Sequence, residues 1–188
     1  MKEEGKLRGN TVVATIVSNP ALDRFLNGCG IQCVRSAVGE RYVIEEMKKH
    51  GANVGGEESG HMVLSDYGKT GDAMTAALVL AQGLLKSGKK MSELFPLFEP
   101  MLRLRADSKF ATKEAMLAAF ELPEFQAAIH QAEQTVAGKG KVLVRKSGTE
   151  PKIQVWVWSD DRNLAEKVND EVSSVLEKAA GFETKKLV

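Results

Sequence analysis

The residues best suited to chemistry lie in one short loop, residues 145–151, which reads R-K-S-G-T-E-P. The groups that can contact an anion are a guanidinium, two hydroxyls, a glycine and an ammonium just after the loop: Arg145, Ser147, Thr149, Gly148 and Lys152. A phosphate dianion suits this set, because a planar fork can bind two of its oxygens and a glycine lets backbone N–H groups come close. The stretch is therefore either a phosphate-binding loop or a hairpin turn whose Ser, Gly and Pro serve only the backbone.

A second loop, residues 56–61, reads G-E-E-S-G-H. Glu57 and Ser59 bring a carboxylate and a hydroxyl close together, so they can accept hydrogen bonds from neighbouring sugar hydroxyls and donate to them. His61 adds a group whose proton moves near neutral pH. The alternative interpretation is a glycine-rich loop with solvated acids.

The order of residues in the two loops resembles the signatures of the α-D-phosphohexomutase family. R-x-S-G-T-E-P-K is similar to the phosphate-binding loop of the family's last domain, and G-E-E-S-G-H is similar to its sugar-binding loop. Residues 38–43 (V-G-E-R-Y-V) and 70–72 (T-G-D) resemble more narrowly the phosphoglucosamine mutase branch. The resemblance extends from about Leu7 to the last helix, but it matches only the C-terminal portion of such an enzyme. We call residues 56–61 the sugar loop and residues 145–151 the phosphate loop.

The resemblance implies a binding role for residues in each loop. The sugar loop would hold hydroxyls of a hexose through these residues: Glu57, Ser59, Gly60 and His61. His61 would touch the substrate, assist proton transfer or only order the loop. The phosphate loop would clamp the phosphate that is not transferred, through these residues: Arg145, Ser147, Gly148 and Thr149. Arg41 either reaches a substrate phosphate or pairs with a carboxylate of its own helix.

The resemblance also implies the reaction of the whole enzyme, which interconverts glucosamine 6-phosphate and glucosamine 1-phosphate through a phosphoserine and uses Mg²⁺. The family's phosphoserine loop, T-A-S-H-N-P, and its metal loop, D-G-D-x-D-R, do not occur in this sequence. Residues 18–20 (S-N-P) lack the histidine of the first, and residues 160–162 (D-D-R) are interpreted as a helix cap. We therefore expect this chain to be inactive alone, to hold no metal and to work with N-terminal domains of the same protein. The alternatives are a phosphoglucomutase/phosphomannomutase of the same superfamily and a stand-alone phosphosugar-binding module.

Four positions depart from the family pattern. Gln154 stands where an arginine is frequent, and Glu58 replaces a glutamine in the sugar loop. Glu40 stands for the usual aspartate of V-G-D-R, and Ala73 follows T-G-D where a glycine is usual. Together these changes leave the choice between glucosamine, glucose and mannose open.

Length and charge limit the class of protein. A chain of 188 residues with 43% hydrophobic residues suits two domains with real cores. Lys and Arg number 26 against 25 Asp and Glu, for a formal net charge of +1. This balance argues against a general nucleic-acid surface, which needs a strong basic excess. Three histidines and two cysteines leave little material for a structural metal site.

The compartment is predicted from what the chain lacks. No apolar run approaches the roughly 20 residues that span a bilayer, and the charged residues 1–6 lack the apolar core of a secretory signal. Cys29 and Cys33 are interpreted as reduced, partly buried thiols. We expect a cytoplasmic protein with no membrane segment, and a chain truncated at its N-terminus, because the opening residues resemble the middle of a domain.

Residues 1–99 alternate between strand and helix patterns, which predicts an α/β layer with a mixed sheet. The resemblance implies that these residues are the family's third, sugar-binding domain. The predicted strands and helices are strands at 11–17, 31–34 and 61–64, helices after Pro20, from Gly39 to His50 and from 73 to 86, and a helical turn at 92–95. The loop at 53–60 is expected to carry ligand-binding residues. The helix at 73–86 is rich in Ala, Leu and Met, so we expect it to be buried.

Residues 100–188 form a predicted α+β domain, similar to the TATA-box-binding-protein-like, phosphate-binding fourth domain of the family. A hinge is expected between Pro96 and Pro100. The predicted elements are a strand at 102–105, helices at 112–120 and 123–136, a hairpin of 141–144 and 153–158, and a last amphipathic helix from about Asp161.

Overall fold

The computed structural model describes residues 1–94, 97–180 and 185–187 of the 188-residue chain. The chain divides into two compact units, Met1–Pro100 and Met101–Val188. The first is an α/β unit with a mixed sheet and the second an α+β unit with an antiparallel sheet, which confirms the predicted fold class. Within the described ranges no helix is both long and apolar enough to cross a membrane.

The first unit is built on a four-stranded sheet of order β2-β1-β3-β4. Its elements, in chain order, are a 3-10 helix (Arg8–Asn10), β1 (Thr11–Thr15), α1 (Ala21–Gly28), β2 (Gln32–Ser36), α2 (Glu40–Lys49), β3 (Val54–Gly56), β4 (Met62–Leu64), α3 (Ala73–Ser87) and α4 (Met91–Leu94). β1 pairs in parallel with both β2 and β3, whereas β3 and β4 are antiparallel. Strand β1 therefore lies inside the sheet, as its β-branched and apolar residues predict.

The core of the first unit forms where α2 packs on the sheet. Val43 and Met47, one helical turn apart, are buried, while Lys48 and Lys49 at the last turn suit the negative end of the helix dipole. Gly55 of β3 lies directly under the two buried side chains. A Cβ at Gly55 would meet the sulfur of Met47 at 2.5 Å and Cγ1 of Val43 at 2.7 Å. The missing side chain at Gly55 is what lets α2 approach the sheet.

The prediction that the helix at 73–86, here α3, is buried is wrong. Within this fully described helix only Ala76 is buried, and the side chains of Met74, Leu78 and Leu85 are 70%, 64% and 82% exposed. Apolar residues occur on all sides of α3, but its own unit packs against one side only, through β4. Composition indicated burial correctly only for that side.

In its described residues, 101–180 and 185–187, the second unit has a four-stranded antiparallel sheet of order β6-β7-β5-β8 and three helices. Its elements are β5 (Leu102–Lys109), α5 (Lys113–Phe120), α6 (Pro123–Val136), β6 (Gly140–Lys146), β7 (Lys152–Ser159), α7 (Arg162–Ala180) and β8 (Lys185–Leu187). Strand β8 was not predicted from the sequence, because three residues are too few to show a period.

Side chains of β5, β6 and β7 alternate between two faces of this sheet. One face packs with the helices in a single core that includes Leu104, Ala106, Val155, Phe125 and Val172. The opposite face carries the polar and aromatic residues Arg103, Arg105, Asp107, Arg145, Gln154, Trp156 and Trp158, which the strand register aligns in rows. The phosphate loop joins β6 to β7 at one end of this polar face.

Several boundaries differ from the predictions. The loop expected at 53–60 contains the short strand β3, and the strand expected at 11–17 ends at Thr15. Phe95 and Pro96, in the predicted helical turn and hinge, lie outside the described residues. Both cysteines are free thiols, and Cys33 is half-buried as expected, but Cys29 is exposed because it follows the end of α1.

Gly55→Ala should destabilise the first unit by about 1–3 kcal/mol, because overpacking forces the side chains above β3 to move. Gly83→Ala is the matched control. Gly83 lies in α3 with nothing within 4 Å of an added Cβ, so better helix propensity should stabilise this variant by up to about 1 kcal/mol. Far-UV circular dichroism during urea unfolding measures both changes. Equal stability of the two variants would contradict the packing assigned to Gly55.

Candidate functional site

The sugar loop lies at the edge of the first sheet where the parallel strands end. Strands β1, β2 and β3 end at Thr15, Ser36 and Gly56, and the register pairs Thr15 with Ser36 and Ala14 with Gly56. The connections after these three strands therefore share one edge of the sheet. Ligands of parallel sheets usually bind at this edge.

Three of the family signatures contact one another at this edge. The N–H of Gly39 donates to Oε1 of Glu57 at 2.9 Å. The carboxylate of Glu40 lies against Gly71, because a Cβ at Gly71 would be 2.8 Å from its Oε2. The N–H of Asp72 donates to the carbonyl of the first residue of β4 at 3.3 Å. The strings at 38–43, 56–61 and 70–72 thus form one continuous surface.

The sugar loop is closed by its own hydrogen bonds. The N–H of Glu57 donates to the carbonyl of His61 at 2.9 Å, and the N–H of Gly60 donates to the carbonyl of Glu57 at 3.1 Å. Oγ of Ser59 and Nδ1 of His61 are 2.9 Å apart, and both side chains are exposed. Gly60 has a φ of 94°, which other residues rarely adopt. The loop therefore presents an ordered serine and histidine to solvent.

Asp72 begins helix α3 and fixes the third signature. Its carboxylate accepts hydrogen bonds from the N–H groups of Met74 and Thr75 and from the Thr75 hydroxyl. The bonds from Thr75, followed by the one from Met74, hold the pKa of Asp72 below its usual value. Asp72 is thus an N-cap with a structural reason for its identity.

Arg41 pairs with a carboxylate of its own helix in this structure. Its Nε donates to Oε1 of Glu45 at 2.9 Å, one turn further along α2. The Arg41 side chain is 83% exposed. The pair is a surface ion pair of small stabilising effect.

Residues 18–20 form the entry to helix α1. Ser18 is buried, and its hydroxyl lies 3.1 Å from that of Thr15. Arg35 donates to the carbonyls of Thr15 and Ser18 at 2.6 and 2.9 Å, and it binds both carboxylate oxygens of Asp23. The hydroxyl of Ser18 is therefore held inside the turn that starts α1.

The phosphate loop is a tight connection between β6 and β7. The N–H of Ser147 donates to the carbonyl of Lys152 at 2.9 Å, and the N–H of Lys152 donates to the carbonyl of Glu150 at 2.8 Å. The N–H of Glu150 donates to Oγ of Ser147 at 3.4 Å, and the hydroxyls of Ser147 and Thr149 are 3.5 Å apart. A bond from the N–H of Phe110 to the carbonyl of Pro151 ties the loop to the end of β5.

Two residues of this loop, Arg145 and Gly148, make no ion pair or steric contact among the described residues that explains their identity. Arg145 is half-buried and makes no ion pair within the described part of the chain. Gly148 has no atom within 4 Å of an added Cβ, and its φ lies outside the left-handed region. The free protein therefore gives no steric or backbone reason for glycine at 148.

A buried carboxylate under the phosphate loop was missed by the sequence reasoning. Asp107 of β5 accepts two hydrogen bonds of 2.6 Å from Arg105 and lies 3.4 Å from Nζ of Lys152. The register pairs Asp107 with Gln154, whose side chain also hydrogen-bonds to it. The only signal in the sequence is the alternation of charges along β5, which does not show what the charges face.

The charges around Asp107 determine its protonation. Burial raises the pKa of Asp107, but the hydrogen bonds and charge of Arg105, together with the charge of Lys152, outweigh burial. The pKa of Asp107 therefore lies below its usual value, and the group is a carboxylate at neutral pH.

The described residues do not fit a resident metal ion. In residues 1–94, 97–180 and 185–187, no three His, Cys, Asp or Glu side chains are grouped to hold one. Asp161, in the D-D-R string, caps α7, because its Oδ1 accepts from the N–H groups of Asn163 and Leu164 at 2.9 and 3.2 Å. This carboxylate serves the helix terminus.

Two models of one protein family match this chain, one over each unit. The phosphoglucomutase/phosphomannomutase α/β/α domain III matches residues 1–101, and the C-terminal domain of the same family matches residues 101–175. The chain belongs to the phosphoglucomutase/phosphomannomutase family. The predicted membership in the phosphohexomutases is thereby confirmed.

Relatives in this family match most of this chain and a smaller share of their own length. Phosphoglucosamine mutase of Paramagnetospirillum magneticum is 43% identical over 94% of this chain, and that of Novosphingobium aromaticivorans is 45% identical over 94%. The chain spans 39% of the length of either relative. The N-acetylphosphoglucosamine mutase of Aspergillus fumigatus, in complex with glucose 1,6-bisphosphate, shares the fold with a TM-score of 0.71 at 17% identity, over 90% of this chain and 38% of its own.

Asp107→Asn should lower the free energy of unfolding of the second unit by about 2 kcal/mol at neutral pH, because Arg105 and Lys152 lose their shared anion. The depressed pKa sets the sign of the pH dependence. The carboxylate's contribution is present above the ordinary aspartate pKa near 4 and is lost as pH falls through the lower folded value. Tryptophan fluorescence reports this unit alone, since both tryptophans lie in β7. A difference between the two proteins that persists undiminished at about pH 2 would contradict the assignment.

Proposed function

We propose that this chain is the substrate-binding part of a phosphoglucosamine mutase, an enzyme that interconverts glucosamine 6-phosphate and glucosamine 1-phosphate through a phosphoserine. The observation that carries the proposal is the phosphate loop with its half-buried Arg145, which has no anionic partner among the described residues. Neighbouring Arg105 and Lys152 are both paired with carboxylates. The names of the relatives at 43–45% identity support the choice of sugar.

The phosphate loop would hold the phosphate that stays on the sugar. The planar guanidinium of Arg145 can donate two parallel hydrogen bonds to two phosphate oxygens. The hydroxyls of Ser147 and Thr149 lie close enough together to donate to the same phosphate. At Gly148 the absence of a side chain would let the anion approach the backbone N–H groups. This explains a glycine that the free protein does not require.

The sugar loop would hold hydroxyls of the ring. Ser59 and His61 are ordered by one contact and exposed, and Glu57 is fixed through Gly39. Because these side chains are already ordered in the free protein, binding a hydroxyl costs them little further rotational entropy. His61 would touch the substrate or orient Ser59. Arg41 would have to leave Glu45 before it could reach a substrate phosphate.

The contribution of this chain to catalysis would be positioning. The reaction requires that the sugar bind in two orientations, so that one phosphate is given and another is taken, and fixed hydroxyl and phosphate sites lower the entropy cost of both. The phosphoserine and the Mg²⁺ ligands would come from the remainder of the full-length protein. Mg²⁺ would supply charge neutralisation for phosphoryl transfer.

Arg145→Ala should weaken binding of glucosamine 6-phosphate to the chain by about 10- to 100-fold, since one charge-assisted contact is lost. Isothermal titration calorimetry at fixed ionic strength measures the change. Lys141→Ala is the matched control, because it removes one positive charge from the same face of β6, about 13 Å away along the strand.

A second variant separates ligand approach from folding. Gly148→Ala should keep the unfolding midpoint of the wild type, since the new methyl meets nothing, and should still weaken phosphate binding. Unchanged affinity in both Arg145→Ala and Gly148→Ala would overturn the assignment of this loop.

The purified chain should not convert glucosamine 6-phosphate, whereas the full-length protein should. ³¹P NMR separates the two phosphate esters in either sample, and rates with glucose and mannose phosphates provide the comparison. Turnover by the 188-residue chain alone would contradict the proposal that this chain only positions the substrate and that the remainder of the protein carries the phosphoserine and the Mg²⁺ ligands. A full-length protein that prefers glucose or mannose phosphates would favour the phosphoglucomutase/phosphomannomutase alternative.

A further inference from the structure

An ion pair joins Glu150 of the phosphate loop to Lys152, which directly follows the loop. Nζ of Lys152 lies 2.6 Å from Oε2 of Glu150. The lysine side chain is only 16% exposed, whereas the glutamate side chain is 52% exposed. The pair raises the pKa of Lys152 and lowers that of Glu150. The ammonium is therefore fixed at the end of the loop, and the Glu150 carboxylate that pairs with it is the more exposed of the two groups.

Strand register places Lys152 beside the proposed phosphate clamp. Arg145 pairs with Gln154 across β6 and β7, and Lys152 is two residues from Gln154 on the same strand. Arg145 and Lys152 are thus diagonal neighbours on one face of the sheet, about 7–8 Å apart at the backbone. Side chains of this length can converge on a single phosphate.

The backbone and a second carboxylate hold Lys152 in place. Its N–H and carbonyl both take part in the bonds that close the loop, with Glu150 and Ser147. Asp107 lies 3.4 Å from Nζ, and its side chain is only 8% exposed. Asp107 is held in turn by two bonds from Arg105, so it stays when Glu150 leaves.

We propose that Lys152 is a further phosphate-binding residue and that Glu150 is its internal competitor, which turns into solvent when a phosphate group binds. The inference rests on the proposed function, since it assumes that the loop binds phosphate. A phosphate dianion beside Arg145 repels the Glu150 carboxylate. The ion pair between Glu150 and Lys152 then breaks, and Lys152 binds the phosphate instead. The ammonium is not left without an anion in this exchange, because Asp107 remains beside it.

The test is calorimetric titration of the chain with inorganic phosphate and with glucosamine 6-phosphate at constant ionic strength. Lys152→Met, which keeps the apolar stem, should weaken binding of both probes about tenfold or more. Lys152→Arg should restore affinity to within a few-fold of the wild type. Glu150→Gln should tighten binding about two- to tenfold, because the competing charge is gone.

The double variant Lys152→Met/Glu150→Gln tests whether Glu150 lowers the affinity for phosphate through its pairing with Lys152. In the Lys152→Met background, Glu150→Gln should lose most of its effect if it works through the lysine. Tryptophan fluorescence unfolding verifies that the second unit is folded in each variant. A Lys152→Met protein that is folded and binds both probes like the wild type would overturn the inference, as would a Glu150→Gln protein that binds more weakly.

Arg145→Ala separates this inference from the proposed function. If Arg145→Ala weakens binding and Lys152→Met does not, the loop binds phosphate without the lysine, and the inference alone is wrong. If neither change affects binding, the loop is not a phosphate site and the proposed function fails as well.

Discussion

Strand register is the constraint on which both candidate loops depend. In the second unit, the pairing of Arg145 with Gln154 directs Arg145, Lys152 and Asp107 to one face, while Val144 on the intervening position packs toward the helices. A slip of one residue in β6 would exchange the two faces and bury the guanidinium. An unpaired buried charge costs far more than the packing it replaces. The apolar core that stabilises this sheet therefore also determines on which face Arg145 and Lys152 lie.

The first unit uses parallel pairing for the same purpose. Because β1 lies between β2 and β3, the turns after all three strands meet at one edge, although they are separate in the chain. Glu57 then reaches the backbone of Gly39, 18 positions earlier, and its carboxylate joins the start of α2 to the sugar loop. Gly55 is the condition for this arrangement, since any side chain there would hold α2 away from the sheet.

Local patterns in the sequence were sufficient for most helices and strands, but not for the short strands β3 and β8 or for the interactions between elements. Helix α6 begins at Pro123 and ends at Val136 as predicted, because proline at a helix start and a glycine soon after its end are local signals. The exposure of α3 could not be predicted, since burial depends on the surfaces that meet a helix and not on its composition. The interaction of Asp107 with Lys152 joins two strands that are distant in the chain, so it requires the register.

The cations around the phosphate loop are mostly paired with carboxylates of the same unit. An anion site made of unpaired cations would repel itself in the free protein, and that repulsion would oppose folding of the loop. Here Arg105 and Lys152 are balanced by Asp107 and Glu150, whereas Arg145 has no anionic partner among the described residues. Affinity for phosphate then depends on the difference between two attractions, that of these cations for the phosphate and that of Lys152 for the Glu150 carboxylate. A formal net charge of +1 is thus compatible with a local phosphate site.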